Sequence, residues 1–195
     1  DLHLSIRRQR QMCIRDRENW CWERVSLDFF AHHYESGESI PEELFQKLKS
    51  ARQFRGASAQ MRQLGFGLVD LDLHMDFNPK LEFDILKFAN ETLQRFTPVK
   101  LPEKYLMLLS FTHLFSDPVG YAAAYYSYKW AEVLDADAFS RFQEEGVLNP
   151  ETGIQFRQAI LAKGNTQEPE ELFREFMGRD PDSRPLLRRN GLLIV

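Results

Sequence analysis

Cysteine is scarce in this sequence of 195 residues: only Cys13 and Cys21 occur. They form neither a Cys-x-x-Cys pair nor a framework, so neither a structural disulfide nor a thiolate metal site is expected, and a reducing cytoplasm is the natural compartment. No stretch approaches the roughly 18 consecutive apolar residues that span a bilayer, and no apolar run at the start reads as a secretory signal. A net charge of −4 gives no cationic excess, so neither nucleic acid nor membrane is expected as a main partner. Catalytic signatures are missing as well. There is no Gly-x-Ser-x-Gly elbow, no Walker loop and no dinucleotide fingerprint. None of the five histidines (His3, His32, His33, His74, His113) opens a His-Glu-x-x-His stretch, the helix-borne arrangement that holds a catalytic zinc. The tandem pair His32–His33 is no substitute, because adjacent helical side chains point about 100° apart and do not converge on one ion. No metal ligand is therefore expected in the chain, and no internal repeat or low-complexity segment interrupts it.

What is present is the balance of an ordinary globular chain, 43% hydrophobic and 28% charged. Sixteen phenylalanines mean that large rings do much of the packing. Residues 1–17 stand apart, with Arg7, Arg8, Arg10, Arg15 and Arg17 set against only Asp1 and Asp16 on an otherwise acidic chain. The segment lacks the aromatic interleaving of a nucleic-acid arm and the serine content of a transit peptide. Its string RQRQMCIRDR is closer to translated adapter read-through, and it is expected to pack poorly.

From Glu18 onward the pattern is helical. Trp22, Val25 and Phe29 make one stripe of a first helix ending near Ser36–Gly37. Ser39-Ile-Pro-Glu42 reads as a capping box for a second helix. Met61, Leu64, Leu68, Leu71 and Met75 mark a third, with Gly65 and Gly67 inside it for close helix approach. Leu86, Ala89, Leu93 and Phe96 mark a fourth, stopped by Thr97-Pro98. Residues 105–111 read as a short strand or buried extended piece, followed by a loop with turn chemistry at Asp117-Pro118. A long helix is expected from about Tyr121 to Glu145, then one capped at Asn149-Pro150-Glu151 and closed by Gly164, and a last amphipathic helix over 168–177. The fold class is all-α, with at most one short extended segment.

One stretch carries chemistry. Tyr121, Tyr125 and Tyr128 fall at i, i+4 and i+7, so a helix through them sets three phenols on one face, while Tyr126, Trp130, Val133 and Leu134 take another. Phenols can donate to a carbonyl oxygen as it becomes an oxyanion; on spacing alone they equally suit a core stripe with satisfied hydroxyls, and His113 a loop histidine.

The order Ser110-Phe-Thr-His113, Gly120-Tyr121, Tyr125-Tyr126-Ser-Tyr128 and Trp130 resembles the thimet-oligopeptidase/oligopeptidase A family of zinc metallopeptidases. Glu18-Asn19-Trp20-Cys21-Trp22-Glu23, His33-Tyr34-Glu35-Ser36-Gly37, Arg62-Gln63-Leu64, Glu170-Glu171-Leu172-Phe173 and Gly178-Arg179 resemble it in the same order, so the similarity runs from residue 18 to about 192. It implies that 18–195 is the C-terminal part of a helical, zincin-like catalytic domain that hydrolyses oligopeptides by zinc-activated water. Tyr125 and Tyr128 then match catalytic, oxyanion-stabilising positions, and His113, Gly120 and Tyr121 substrate-binding ones. The zinc ligands would lie in a missing N-terminal part of the same polypeptide, where the arginine-rich string stands. The loop Ser116-Asp-Pro-Val-Gly120 departs from the shorter glycine pair of many relatives. The rival expectation is a non-catalytic helical peptide-binding scaffold.

Overall fold

A computed structural model describes residues 17–78, 80–81, 84–117, 119–164 and 166–193. The basic string at 1–16 lies outside the described residues, as does His3. The helices are α1 (Arg24–Leu27), α2 (Glu42–Gln53), α3 (Gly56–Met75), α4 (Ile85–Gln94), α5 (Thr112–Phe115), α6 (Ser127–Glu145), α7 (Pro150–Phe156), α8 (Pro169–Met177) and α9 (Arg184–Arg189). A 3-10 turn spans Met107–Ser110, and one π-helical turn, Arg157–Leu161, continues α7. The protein is all-α: among the described residues the sole β pairing is an isolated antiparallel bridge between His32 and Ser39. The chain forms two compact units, Asp1–Gly56 with Trp130–Val195, and Ala57–Lys129.

The first unit is built on rings. Leu134, Phe139, Phe142, Phe156, Ile160, Leu172, Phe173 and Phe176 are buried together. Trp20 meets Phe139 and Phe142 edge-on at 4.8 and 4.9 Å, and its Nε1 donates to the Val147 carbonyl at 2.9 Å. That anchoring breaks the expected first helix. Glu23 is extended (φ −105°, ψ 127°), so the stripe Trp22–Val25–Phe29 never forms as one face, and Phe29 is 73% exposed. Nor does Ser39 cap α2. It lies opposite His32 in the isolated bridge, and Pro41 precedes the helix with no side-chain cap. The Asn149 cap does form: its Oδ1 accepts from Glu151 N at 2.9 Å, with Pro150 in the first turn. The last amphipathic helix also holds, with Leu172, Phe173 and Phe176 buried and Gly178 left-handed at φ 71° just past its end.

Two buried aspartates on α6 tie distant segments together. Asp135 accepts from Asn19 Nδ2 and, at 2.7 Å, from Arg189 Nη1, which also reaches Asn19 Oδ1 at 3.0 Å. Asp137 takes both Nη atoms of Arg179 at 2.7 Å and the Asp182 amide at 2.7 Å. Each carboxylate is desolvated but fully answered, the condition under which a buried ion pair is tolerated. The Asn-Trp and Gly-Arg pairs of the sequence thus have structural work. Asn190, just past α9, also comes close to Gly56 within this unit. A Cβ on Gly56 would stand 2.6 Å from the Asn190 carbonyl oxygen, a backbone atom that has no rotamer to escape into. Gly56→Ala is therefore expected to lower stability by roughly 1–3 kcal/mol in urea denaturation, with secondary structure retained.

The second unit packs α3 against α4 and the 3-10 turn. Phe66, Val69, Leu73, Ala89, Leu93, Leu108, Phe111 and Leu114 are its core. The buried face of α3 is not the stripe read from spacing, for Met61, Leu64 and Met75 are exposed. The glycines decide the face. A Cβ on Gly65 would lie 3.2 Å from Phe96 and 3.3 Å from Leu93, and one on Gly67 3.5 Å from Tyr126, so the smallest side of the helix is where neighbours approach. Within 105–111 the chain makes a 3-10 turn, Met107–Ser110, that drops Leu108 and Phe111 into this core, in place of the expected strand or extended piece. α4 starts where Asp84 caps the amides of Leu86 and Lys87, at 3.0 and 3.1 Å.

Candidate functional site

The tyrosines of the second unit do not sit on a continuous helix. α6 begins at Ser127, and residues 120–126 form successive turns in which Ala123 adopts φ +52°. A left-handed alanine costs about 1–2 kcal/mol, so something must hold it there. The holder is Asp70, fully buried on the core face of α3. Its Oδ1 accepts from Ala123 N at 3.0 Å and its Oδ2 from Tyr125 N at 2.8 Å, capturing a loop more than fifty residues away. His74, one turn on, places Nδ1 3.0 Å from Oδ1 and 2.7 Å from the Asp70 carbonyl oxygen. Burial pushes the Asp70 carboxyl above its ordinary 3.8, against the opposing pull of the Tyr125 and Ala123 amides and of His74.

With the turn so fixed, the rings converge although the expected helical spacing is lost. Tyr121 stacks on Tyr128 at 5.3 Å between centroids and 16° between planes, and Tyr125 lies 5.1 Å from Tyr128. His113, exposed on α5, stands 5.7 Å from Tyr121, 6.2 Å from Tyr125 and 6.3 Å from Tyr128. Phe111 closes the floor, edge-on to Tyr125 at 4.8 Å. Tyr121, Tyr125 and Tyr128 are each half-buried, with apolar support on one side. Trp130, assigned by spacing to a core face, is 51% exposed.

Gly120 enters this cluster through the loop that precedes it. Asp117 Oδ1 accepts from Val119 N at 2.8 Å and Gly120 N at 2.7 Å, a side-chain-closed turn. A Cβ on Gly120 would stand 3.2 Å from the Asp117 Cβ, so a larger residue there would have to push Asp117 back by a few tenths of an ångström. All five residues singled out from the sequence, His113, Gly120, Tyr121, Tyr125 and Tyr128, therefore fall in one neighbourhood of one unit.

Two members were missed by sequence reasoning. Gln63 accepts the Tyr125 hydroxyl at 3.0 Å, so that phenol proton is directed into the protein in this conformation. Asp70 is the other. Its signal was legible: it shares the i, i+3, i+4, i+7 stripe of Phe66, Val69 and Leu73, and an aspartate on an apolar stripe must find donors.

A family model, peptidase family M3, matches residues 17–192. The chain belongs to that family. It is 45% identical over 175 residues to oligopeptidase A of Salmonella typhimurium, covering 90% of this chain and 25% of that protein. It is 48% identical over 183 residues to the organellar oligopeptidase A, chloroplastic/mitochondrial, of Arabidopsis thaliana, covering 90% of this chain and 22% of that protein. The Escherichia coli dipeptidyl carboxypeptidase is 33% identical over 180 residues, 91% of this chain and 26% of its own length. The chain thus spans about a quarter of the length of the curated M3 relatives it matches.

Among the described residues no three His, Cys, Asp or Glu side chains come together in a way that fits a metal ion. The zinc implied by the M3 resemblance has no ligand set among the described residues. Nor, among the described residues, is any helix long and apolar enough to cross a membrane.

Proposed function

We propose that this chain is the substrate-facing, phenol-bearing portion of an oligopeptidase that hydrolyses short peptides in the cytoplasm. The observation that carries the reading is the convergence of His113, Tyr121, Tyr125 and Tyr128 in a family M3 chain. In this reading the half-buried rings form a wall against which an extended peptide lies, with His113 and Tyr121 at its edge and the Gly120 loop beside it. Tyr128 and Tyr125 act as hydrogen-bond donors to the oxyanion that develops on the scissile carbonyl. Such donors act by being aimed in advance, and the Asp70 latch supplies the aim. Tyr125 must exchange its 3.0 Å bond to Gln63 for one to substrate. The metal ligands and the rest of the channel belong, in this reading, to other parts of a longer polypeptide.

The test uses the chain as it is. Titrated with a short oligopeptide, it is expected to show a saturable change in tyrosine near-UV signal, no hydrolysis and no stoichiometric zinc after exposure to the metal and desalting. One equivalent of tightly held zinc, or peptide cleavage, would overturn the division of labour. A tyrosine signal indifferent to peptide would leave the ring cluster as core packing.

A further inference from the structure

The first unit holds a cleft of about 290 Å³, remote in sequence from the tyrosines, whose walls carry more positive charge than the protein itself neutralises. α2 contributes Lys49 and Arg52, three residues apart and so on one helix face, and α9 contributes Arg188 and Arg189. Glu23 is the one carboxylate of the lining, and it accepts from Gln143 Nε2 at 2.9 Å.

Arginines elsewhere in the described structure are commonly answered: Arg24 by Asp28, Arg141 by Glu145, Arg174 by Asp180, Arg179 by Asp137 and Arg184 by Asp182. In the cleft only Arg189 is, through buried Asp135. Arg52 is half-buried with its guanidinium 4.4 Å from the centre of the Trp22 ring, a stack that fixes its plane and leaves its in-plane N–H groups to be used. Burial above all, and the nearby Arg189 charge, hold its pKa below the ordinary 12.5, against the opposing pull of Glu18, Asp135 and Glu23. Three cations without an ion pair among the described residues, Lys49, Arg52 and Arg188, thus share the cleft lining with one carboxylate, Glu23. That excess is matched by a doubly charged oxyanion and not by a single carboxylate. Guanidinium forks pair with phosphoryl oxygens two at a time.

We infer that this cleft is a binding site for a small phosphoryl-type oxyanion, gripped by Arg52 from α2 and Arg188 from α9, with Trp22 as the platform that orients Arg52. The site is independent of the peptidase reading, since it uses none of the tyrosine cluster and lies wholly within the other unit.

Isothermal titration of the 195-residue chain with inorganic pyrophosphate at fixed ionic strength tests it, with Trp fluorescence as a second readout. Saturable one-site binding is expected, weakened about tenfold or more in Arg52→Gln and in Arg188→Gln, as for a lost charge-assisted hydrogen bond. Arg157→Gln, exposed on the π-helical turn, is expected to bind as the parent does. Acetate at the same ionic strength is expected not to compete. Should Arg52→Gln not fold, exposed Lys49 carries the same test as Lys49→Gln. No saturable binding, undiminished affinity in the arginine and lysine variants, or equal competition by acetate would each overturn the inference.

Discussion

Tyr128→Phe, made in a chimera in which this chain replaces the matching quarter of the Salmonella oligopeptidase A, is expected to lower kcat for a short peptide by about 10²-fold with KM little changed. The substitution keeps the ring that stacks on Tyr121 at 5.3 Å and packs beside Tyr125 at 5.1 Å, so the peptide wall survives. Only the hydroxyl is removed, and a donor realised in the transition state is lost from kcat and kcat/KM alike. A rise in KM at constant kcat would assign the hydroxyl to ground-state binding instead. Unchanged turnover would return Tyr128 to packing. Gln63→Ala in the same chimera separates the two phenols. It frees the Tyr125 hydroxyl from its 3.0 Å bond and should leave the Tyr128 effect intact.

Asp70→Ala is expected to destabilise the 195-residue chain by about 2–4 kcal/mol, because two backbone amides of the tyrosine turn lose their acceptors together. The loss is measured by urea denaturation. A second signature is specific to the turn: Asp70 holds Ala123 at φ +52° and takes the Tyr125 amide, so the near-UV signal of Tyr121, Tyr125 and Tyr128 should weaken even where helix content is unchanged. Asp70→Asn should recover only part of this, since a carboxamide offers one oxygen where two serve Ala123 and Tyr125. The pH dependence has a definite sign. A folded-state carboxyl whose pKa is raised above 3.8 binds its proton more readily folded than unfolded, so its protonation favours the fold. That contribution is fully present below 3.8 and is lost as pH rises through the raised value. Asp70→Asn should abolish this slope, and an identical slope in the variant would show that Asp70 is not its source.

Much of the candidate site is legible in the sequence, because His113, Gly120, Tyr121, Tyr125 and Tyr128 lie within sixteen residues of one another and any compact path brings them near. What the spacing got wrong was the reason. A continuous helix from Tyr121 would align the phenols by its own repeat. Instead a carboxylate from α3 takes the amides of Ala123 and Tyr125 that such a helix would use, and the rings meet across a turn. Side-chain acceptors that compete with the backbone from far along the chain leave no mark in local periodicity.

Asn149 before Pro150, Gly178 after Met177 and the apolar repeat of α8 are local statements, since the partners they concern are within four residues and the unfolded chain already contains them. The amino-acid order therefore determined the all-α class, most of the helix sequence and the residue types of the site. Tertiary structure decided which of two apolar stripes of α3 is buried, where Gly65 and Gly67 admit Leu93, Phe96 and Tyr126. It decided that Trp20, packed edge-on to Phe139 and Phe142, interrupts the expected first helix at an extended Glu23. It decided too that Asp70 is a latch, because helical propensity sets a repeat but the contest between faces and acceptors is settled by burial and by whichever distant partner arrives.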